Sequence, residues 1–279
     1  MQMARSRVKP PETRKPNKTS VQFKLQLTEE QARAKEIALD SKYTILTGRA
    51  GTAKTTLNCQ IALDRVLNKY MGKILITRPT VTVKDEHNSG MGFLPGDAFD
   101  FKGGKMAPFI NPILEAMIEL TSKQTIEALI KGGQIEIAPI DFVRGRNFKD
   151  CVVIVDEAQN LNYGQLKALV TRLCPNTMML FTSDLTQVDL VNPDTSAGKL
   201  FSLISKRKGV SMIELTEQWR DPLAVLLSED IEAFEKEERD ERRRLKEEPS
   251  TIRVFKEPVT TDELLEQLDD PKAPWNFRK

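Results

Sequence analysis

The sequence is poor in the residues that build metal sites, disulfide frameworks and membrane spans. Of its 279 residues, three are cysteine and one is histidine. Cys59, Cys151 and Cys174 are widely spaced and form no C-x-x-C pair, which argues against a zinc site and favours reduced thiols. No apolar run approaches the length of a transmembrane helix, and the N-terminus lacks the apolar stretch of a signal peptide. We therefore expect a cytoplasmic protein with no membrane partner.

An excess of charge of one sign is also missing. The 42 basic residues against 40 acidic residues leave a formal net charge of +2. The protein as a whole therefore has no strong positive field that would attract nucleic acid, and any contact with nucleic acid must be local. The first 24 residues are the exception, because they are rich in arginine, lysine and proline, and we interpret 1–24 as a disordered basic arm.

One stretch carries the strongest functional signal, KYTILTGRAGTAKTT at 42–56. A short apolar strand ends at Gly48, and a glycine-rich loop then leads to Lys54, Thr55 and a predicted helix over 54–69. Main-chain N–H groups can approach an anion at Gly51, Lys54 supplies a point charge for the β- and γ-phosphates, and the Thr55 hydroxyl suits Mg²⁺. The predicted nucleotide-binding residues are Gly48, Arg49, Ala50, Gly51, Thr52, Ala53, Lys54, Thr55 and Thr56.

The loop departs from the usual pattern G-x-x-x-x-G-K-[ST] at one position, where Ala53 replaces the second glycine. A methyl group disfavours positive φ, so we expect the loop to fit a nucleotide only if Ala53 is held at negative φ. A chance glycine-rich turn is the alternative interpretation. The strand before the loop and the helix after it favour the nucleotide site.

A second motif, CVVIVDEAQ at 151–159, delivers two adjacent carboxylates to the end of an apolar strand. Buried carboxylates are costly unless they serve a cation or a proton. Asp156 suits Mg²⁺, which takes few protein ligands, and Glu157 would face the water that attacks a γ-phosphate. Gln159 is predicted to sense that phosphate.

Gln31 and several arginines have two interpretations each. In LTEEQ, Thr28 and Gln31 can form a helix capping box, or Gln31 can read an adenine edge through its amide. Arg78, at the end of a strand over 73–79, suits nucleic acid or a structural ion pair. Arg144 and Arg146 suit phosphate binding or simple solvation of a surface loop.

The remaining pattern predicts an α/β fold with a mostly parallel sheet flanked by helices. We expect the strand at 73–79 to lie beside the first strand, and further strands over 177–184 and 211–220. The last of these would end at Arg220, with Trp219 packed against the sheet. Gln187 follows the strand at 177–184 and would complete the γ-phosphate environment, while turn capping is the alternative role of this loop.

These motifs, in order over roughly 27–235, resemble those of the PhoH-like ATPases, P-loop proteins related to the core of superfamily-1 helicases. The motifs are LTEEQ, GRAGTAKT, ITRP, GFLPGD, IAPIDFVRGR, VIVDEAQ and SDLTQVDL. The resemblance implies one RecA-like domain that hydrolyses ATP with Mg²⁺. The resemblance also implies that Gln31 reads adenine and that Gln187 senses the γ-phosphate. Arg220 would complete the catalytic group with Lys54 and Glu157.

We expect a basic arm over 1–24, the ATPase domain over 25–235, and a charged helical extension and tail over 236–279. Expected partners are ATP, RNA or single-stranded DNA through Arg78, Arg144 and Arg146, and further copies of the chain, as in a hexameric ring. Two alternatives remain. One is an ATP-gated binding or assembly module with little turnover, and the other is a P-loop nucleoside kinase, although the zinc-binding cysteine cluster of thymidine kinases is absent from the sequence.

Overall fold

The computed structural model of the chain describes residues 23–79, 107–143, 146–187 and 196–247. The predicted basic arm, the glycine-rich stretch 80–107 and the C-terminal tail lie outside the described residues apart from a few at their edges, as does Arg144.

Within the described ranges, six short strands alternate with helices, as the pattern of apolar runs predicts. The elements are α1 (Glu29–Leu39), β1 (Tyr43–Thr47), α2 (Lys54–Leu67), β2 (Lys73–Thr77), α3 (Ala107–Leu120), α4 (Lys123–Lys131), β3 (Ile135–Ile137), α5 (Ile140–Val143), β4 (Cys151–Val155), α6 (Tyr163–Val170), β5 (Thr177–Ser183), α7 (Gly198–Ile204), β6 (Val210–Glu214) and α8 (Pro222–Glu247).

The six strands form one sheet in the order β3-β2-β4-β5-β1-β6, and every neighbouring pair is parallel. All carboxyl ends therefore lie along one edge, where ligands of open α/β sheets gather. β4 and β5 are buried along their whole length, as expected for strands covered on both faces. The predicted α/β, RecA-like fold with helices around a parallel sheet is confirmed.

The expectation that the strand at 73–79 lies beside the first strand was wrong. β2 pairs with β3 and β4, not with β1, and β5 lies between β1 and β4. Parallel strands are joined by crossovers, so strands that follow each other in sequence need not be neighbours in the sheet. The phosphate loop and the acidic pair thus meet across an intervening strand.

Apolar side chains pack on both faces of the sheet. On one face Leu57 and Ile61 of α2 and Ile113 of α3 join the core. On the other face Phe201 of α7 contacts Phe181 of β5, with ring centroids 5.9 Å apart. Burying a side chain of this size contributes about 1.5–3 kcal/mol, so the two layers fix the sheet edge that carries the site.

The predicted strand over 211–220 was wrong in its second half. β6 ends at Glu214, because its neighbour β1 ends at Thr47 and the last ladder bond runs from Leu215 N to Thr47 O. Trp219 does not pack against the sheet either, since 62% of its surface is exposed. Residues 215–219 instead form an irregular segment, here called the strap.

The chain divides into two compact units, Met1–Trp219 and Arg220–Lys279. In the second unit α8 begins at Pro222, and Leu223 N donates to Asp221 Oδ1 at 2.9 Å, which caps the helix. α8 continues without a break through the domain boundary predicted at 235. Among the described residues, no helix is both long and apolar enough to cross a membrane.

Candidate nucleotide-binding site

The loop between β1 and α2 makes tight turns that need glycine. Gly48 has φ 137° and Gly51 has φ 90°. A Cβ on Gly48 would also lie well inside the van der Waals distance of the carbonyl oxygen of Leu215. Backbone approach as well as backbone conformation therefore requires glycine at position 48.

Ala53 contradicts the sequence-based expectation of a negative φ. It has φ 60° and ψ 25°, the left-handed conformation that the missing glycine would adopt easily. For an L-residue this conformation costs about 1–2 kcal/mol. The first turn of α2 and the loop therefore hold Ala53 in the glycine-like geometry at a cost in strain.

Lys54 and Thr55, the first two residues of α2, point back into the site. Lys54 Nζ donates to the carbonyl oxygens of Gly48 at 2.6 Å and Arg49 at 2.7 Å. The ammonium therefore lies within the loop that it was predicted to serve. Thr55 Oγ1 donates to Asp156 Oδ1 at 3.0 Å, which joins the start of α2 to the end of β4.

The acidic pair follows β4 directly. Asp156 is buried, and its Oδ1 also accepts a hydrogen bond from Thr182 Oγ1 at 2.5 Å. Glu157 adopts a left-handed conformation with φ 51°, and its N–H donates to Thr182 Oγ1 at 3.1 Å. Asp156 thus faces Thr55, and the Glu157 side chain is half-buried.

Removal from water raises the pKa of Glu157 above its ordinary value, and the neighbouring Asp156 raises it further. A hydrogen bond from Gln159 and the charges of Arg78 and Lys54 act in the opposite direction on the pKa. A carboxylate with a raised pKa is a better proton acceptor, which suits a group that orients or activates water.

Gln159 does not have the geometry of a phosphate sensor. Its side chain is fully buried, Nε2 donates to Glu157 Oε2 at 2.5 Å, and Oε1 accepts from Asp184 N at 3.1 Å. Both ends of the amide are thus used within the protein. Gln159 links the end of β5 to the carboxylate of Glu157.

Arg78, predicted for nucleic acid or for an ion pair, makes the ion pair. Its guanidinium nitrogens lie 3.5 Å from Asp156 Oδ2 and 3.7 Å from Glu157 Oε1. The side chain is 26% exposed, so the cation sits at the edge of the acidic pair. A role with nucleic acid stays a prediction.

Gln31 forms the capping box that was one of its two interpretations. Thr28 N donates to Gln31 Oε1, and Gln31 N donates to Thr28 Oγ1, both at 3.3 Å. The amide oxygen of Gln31 is therefore committed to the start of α1. Reading of adenine by Gln31 stays a prediction.

Three other predicted site residues, Gln187, Arg146 and Arg220, are among the described residues. Gln187 is half-buried just past β5, where its N–H donates to Asp184 O at 3.2 Å. Arg146 pairs with Glu136 of β3 at 2.5 Å, and Lys73 pairs with the same carboxylate at 2.9 Å. Arg220 is exposed and belongs to the second unit. The roles of these residues stay predictions.

Sequence reasoning missed two groups of residues. Thr182 bonds both to Asp156 and to the backbone of Glu157, but a threonine inside a buried strand gives no signal of its own. Glu30 holds the strap, because its Oε1 accepts from Thr216 N at 2.9 Å and its Oε2 accepts from Glu217 N at 3.2 Å. Thr216 and Glu217 follow Glu30 by 186 and 187 residues in the sequence.

The donor set suits Mg²⁺. The Thr55 hydroxyl and the Asp156 carboxylate are hard oxygen donors only 3.0 Å apart. Among the described residues no group of three or more histidine, cysteine, aspartate or glutamate side chains converges on a metal site. Mg²⁺ fits such a sparse site, since it keeps several waters and takes one or two protein ligands beside phosphate oxygens.

A family model described as "PhoH-like protein" matches residues 25–229. A PhoH-like protein of Synechocystis is 37% identical over 70% of this chain and 57% of its own length. One from Bacillus subtilis is 37% identical over 68% of the chain and 57% of its own length. Protein PhoH of Escherichia coli is 35% identical over 55% of this chain and 42% of its own length. The chain thus spans about half the length of the curated relatives it matches.

Solved structures of helicases share part of the fold at low similarity. Bacteroides Pif1 helicase in complex with ADP-AlF3 and single-stranded DNA has a TM-score of 0.41 and 15% identity, over 75% of this chain and 47% of that one. Bacteroides Pif1 bound to single-stranded DNA has a TM-score of 0.38 and 16% identity, over the same 75% and 47%.

Proposed function

The chain belongs to the PhoH-like family, and from that premise we propose that it is an ATPase that uses Mg²⁺ at the loop 48–56. The observation that carries this proposal is the 3.0 Å hydrogen bond between Thr55 and Asp156. It brings the first turn of the loop helix and the acidic end of β4 into one site, although they lie 101 residues apart. A phosphate loop without the acidic pair could bind a nucleotide but would lack the group that activates water.

In the proposed site, backbone N–H groups of the loop and the N-terminus of α2 bind the phosphates. Lys54 offsets the negative charge that develops on the β- and γ-phosphates. Thr55 and Asp156 would hold Mg²⁺, which neutralises phosphate charge when bound. The adenine is proposed to meet Gln31 at the start of α1.

Hydrolysis needs a water in line with the bond that breaks. We propose that Glu157 orients this water. The carboxylate of Glu157 itself accepts a hydrogen bond from Gln159. The water oxygen bonds to the γ-phosphorus as the bond to the bridging oxygen breaks, and the water proton passes toward the Glu157 carboxylate or to the released phosphate. Gln187 and Arg220 are proposed to contact the γ-phosphate.

The decisive experiment is steady-state phosphate release with Mg²⁺ and with excess EDTA, for the parent chain and for Lys54→Ala and Lys42→Ala. Lys42 is an exposed lysine just before β1 and serves as the matched control. We expect multiple turnover only with Mg²⁺, loss of turnover in Lys54→Ala, and parent activity in Lys42→Ala. A Lys54 variant that hydrolyses ATP at the parent rate would overturn the assignment.

The same assay separates the alternatives. Nucleotide binding with at most one turnover per chain would identify an ATP-gated binding or assembly module. Transfer of phosphate to a nucleoside instead of water would identify a kinase. Because Gln159 fixes the carboxylate of Glu157, which a binding module would not require, we favour the hydrolase.

Single-stranded nucleic acid is the proposed macromolecular partner, through Arg78, Arg144, Arg146 and the basic arm. Binding to such a local set of cations weakens steeply as salt rises. RNA and single-stranded DNA should each be titrated at low and at physiological salt, with ATP turnover recorded in parallel. If neither polymer binds at low salt nor changes turnover, the partner is wrong.

Assembly into a homo-oligomer, with a hexameric ring as one arrangement, is also a proposal. Arg220 can be tested in trans by mixing a Glu157→Gln chain with an Arg220→Ala chain, each inactive alone. Activity in the mixture would mean that one copy supplies the arginine and another the carboxylate. A mixture that stays inactive, although solution mass proves that the chains co-assemble, would mean that Arg220 acts within its own chain.

A further inference from the structure

The strap, residues 215–219, contacts the phosphate loop at both of its ends. At its start, Leu215 N donates to Thr47 O, and the Leu215 carbonyl oxygen packs where a side chain on Gly48 would be. At its end, Trp219 N donates to Gly51 O at 3.1 Å. The loop is therefore in contact with a segment that follows it by more than 160 residues in the sequence.

Glu30 holds the middle of the strap. Its carboxylate accepts three hydrogen bonds, from Thr216 N at 2.9 Å, Thr216 Oγ1 at 2.8 Å and Glu217 N at 3.2 Å. Partial burial acts to raise the pKa of Glu30, but these hydrogen bonds outweigh it and hold the pKa below its ordinary value. The carboxylate is thus bound to the strap in its charged form.

The contact at Gly51 has a consequence for phosphate binding. In a trans peptide the carbonyl and the N–H of the next residue point in opposite directions. Because Trp219 fixes the carbonyl of Gly51 toward the strap, the N–H of Thr52 is directed away from it. The orientation of one main-chain donor in the loop thus depends on the strap.

We propose that Glu30 is a positioning residue for nucleotide binding, which acts through the strap on the peptide between Gly51 and Thr52. Glu30 lies in the first turn of α1, and its carboxylate accepts hydrogen bonds from the strap. This inference rests on the proposed function of the loop, since it concerns how that loop is held ready for phosphate.

The test compares Glu30→Ala with Glu29→Ala in the full chain. Glu29 is exposed and also lies in the first turn of α1, so the control loses the same charge near the helix N-terminus without touching the strap. Thr216→Val is the second variant, because it removes only the hydroxyl donor. The probes are the affinity for ADP and for a non-hydrolysable ATP analogue with Mg²⁺, and residue-resolved amide hydrogen exchange without nucleotide.

We expect Glu30→Ala to weaken nucleotide binding about tenfold, as for the loss of charge-assisted hydrogen bonds, with a smaller change of the same sign in Thr216→Val. Glu29→Ala should bind as the parent does. Exchange of the Thr216, Glu217 and Trp219 amides should speed up together in Glu30→Ala, while amides of the central strands keep their protection. Faster exchange at Trp219 would report that the bond to Gly51 opens when Glu30 is removed.

Two results would overturn the inference. In the first, the amides of Thr216 and Glu217 exchange faster but Trp219 and nucleotide affinity do not change. In the second, the amides of central strands also lose protection in Glu30→Ala and Thr216→Val binds as the parent does, which would mean general destabilisation. Failure of the proposed function would look different, because the parent chain itself would then bind no nucleotide or would bind it without multiple turnover.

Discussion

Gln159 donates a 2.5 Å hydrogen bond to the carboxylate of Glu157 from a side chain with no exposed surface. The other end of the same amide accepts from Asp184 N, so the position of Glu157 depends on the end of β5. The carboxylate that would orient water is therefore set by the protein before substrate arrives.

Replacement of Gln159 by leucine should separate catalysis from binding. We expect turnover to fall about ten- to hundredfold, as for other groups that orient a functional side chain, with nucleotide affinity nearly unchanged. The buried N–H of Asp184 would lose its acceptor, which costs about 1–3 kcal/mol of stability. Steady-state kinetics and urea unfolding measure the two effects, with Gln134→Leu, at an exposed position, as control. Parent turnover in a destabilised variant would leave Gln159 with a structural role only.

Substitution of Gly48 should be far more harmful than substitution of another glycine with positive φ. Gly48→Ala adds a clash with the backbone oxygen of Leu215, and we expect a loss of about 3 kcal/mol or more. Gly133 has φ 68° and a Cβ there would meet nothing within 4 Å, so Gly133→Ala should cost only about 1 kcal/mol. Denaturant unfolding of both variants measures the difference. Equal losses would mean that the strap does not contact the loop as described.

The left-handed conformation of Ala53 predicts opposite outcomes for a smaller and a branched side chain. Ala53→Gly relieves strain but makes the unfolded chain more flexible, so stability should change by less than about 1 kcal/mol. Ala53→Val puts a β-branched residue at positive φ, and a loss of about 2 kcal/mol or more is expected. Thermal unfolding and ADP affinity of the two variants check this. Equal tolerance of valine and glycine would contradict the positive φ.

The raised pKa of Glu157 makes its charge unfavourable for folding. Between the ordinary pKa of glutamate, about 4.3, and the higher folded-state pKa, the folded protein binds more protons. Stability therefore falls as pH rises through this window, and the loss is complete above the folded-state pKa. Glu157→Gln should abolish turnover yet raise Tm at pH 7, with the gain disappearing near pH 4. The exposed Glu119→Gln is the control, and an unchanged Tm at pH 7 in Glu157→Gln would contradict the burial of this charge.

The sequence predicted the parts of the site that depend on local pattern. The strand at Tyr43, the helix at Lys54 and the acidic end of β4 follow from apolar runs that end in glycine or in charge. Their convergence follows from a rule of parallel sheets, that carboxyl ends share one edge.

The parts that were missed depend on contacts between distant segments. The loop pattern has glycine at position 53, but nothing near Ala53 in sequence indicates that alanine keeps the positive φ, and Glu30 looks like any acidic residue in a first helical turn. The prediction of a strand that continues through Trp219 was wrong, because the length of a strand is set by the neighbouring strand that it pairs with. β6 ends where β1 turns away at Gly48.

The position of β1 in the sheet also bears on synthesis of the chain. β1 pairs with β5 and β6, which end at Ser183 and Glu214, while β2 pairs with β3 and β4, which both precede β5 in the sequence. Contacts this distant in sequence form slowly, and a chain emerging from the ribosome starts with its earliest segments. The strand that carries the phosphate loop is translated before both of its partners, so the loop takes shape only after β5 and β6 have left the exit tunnel.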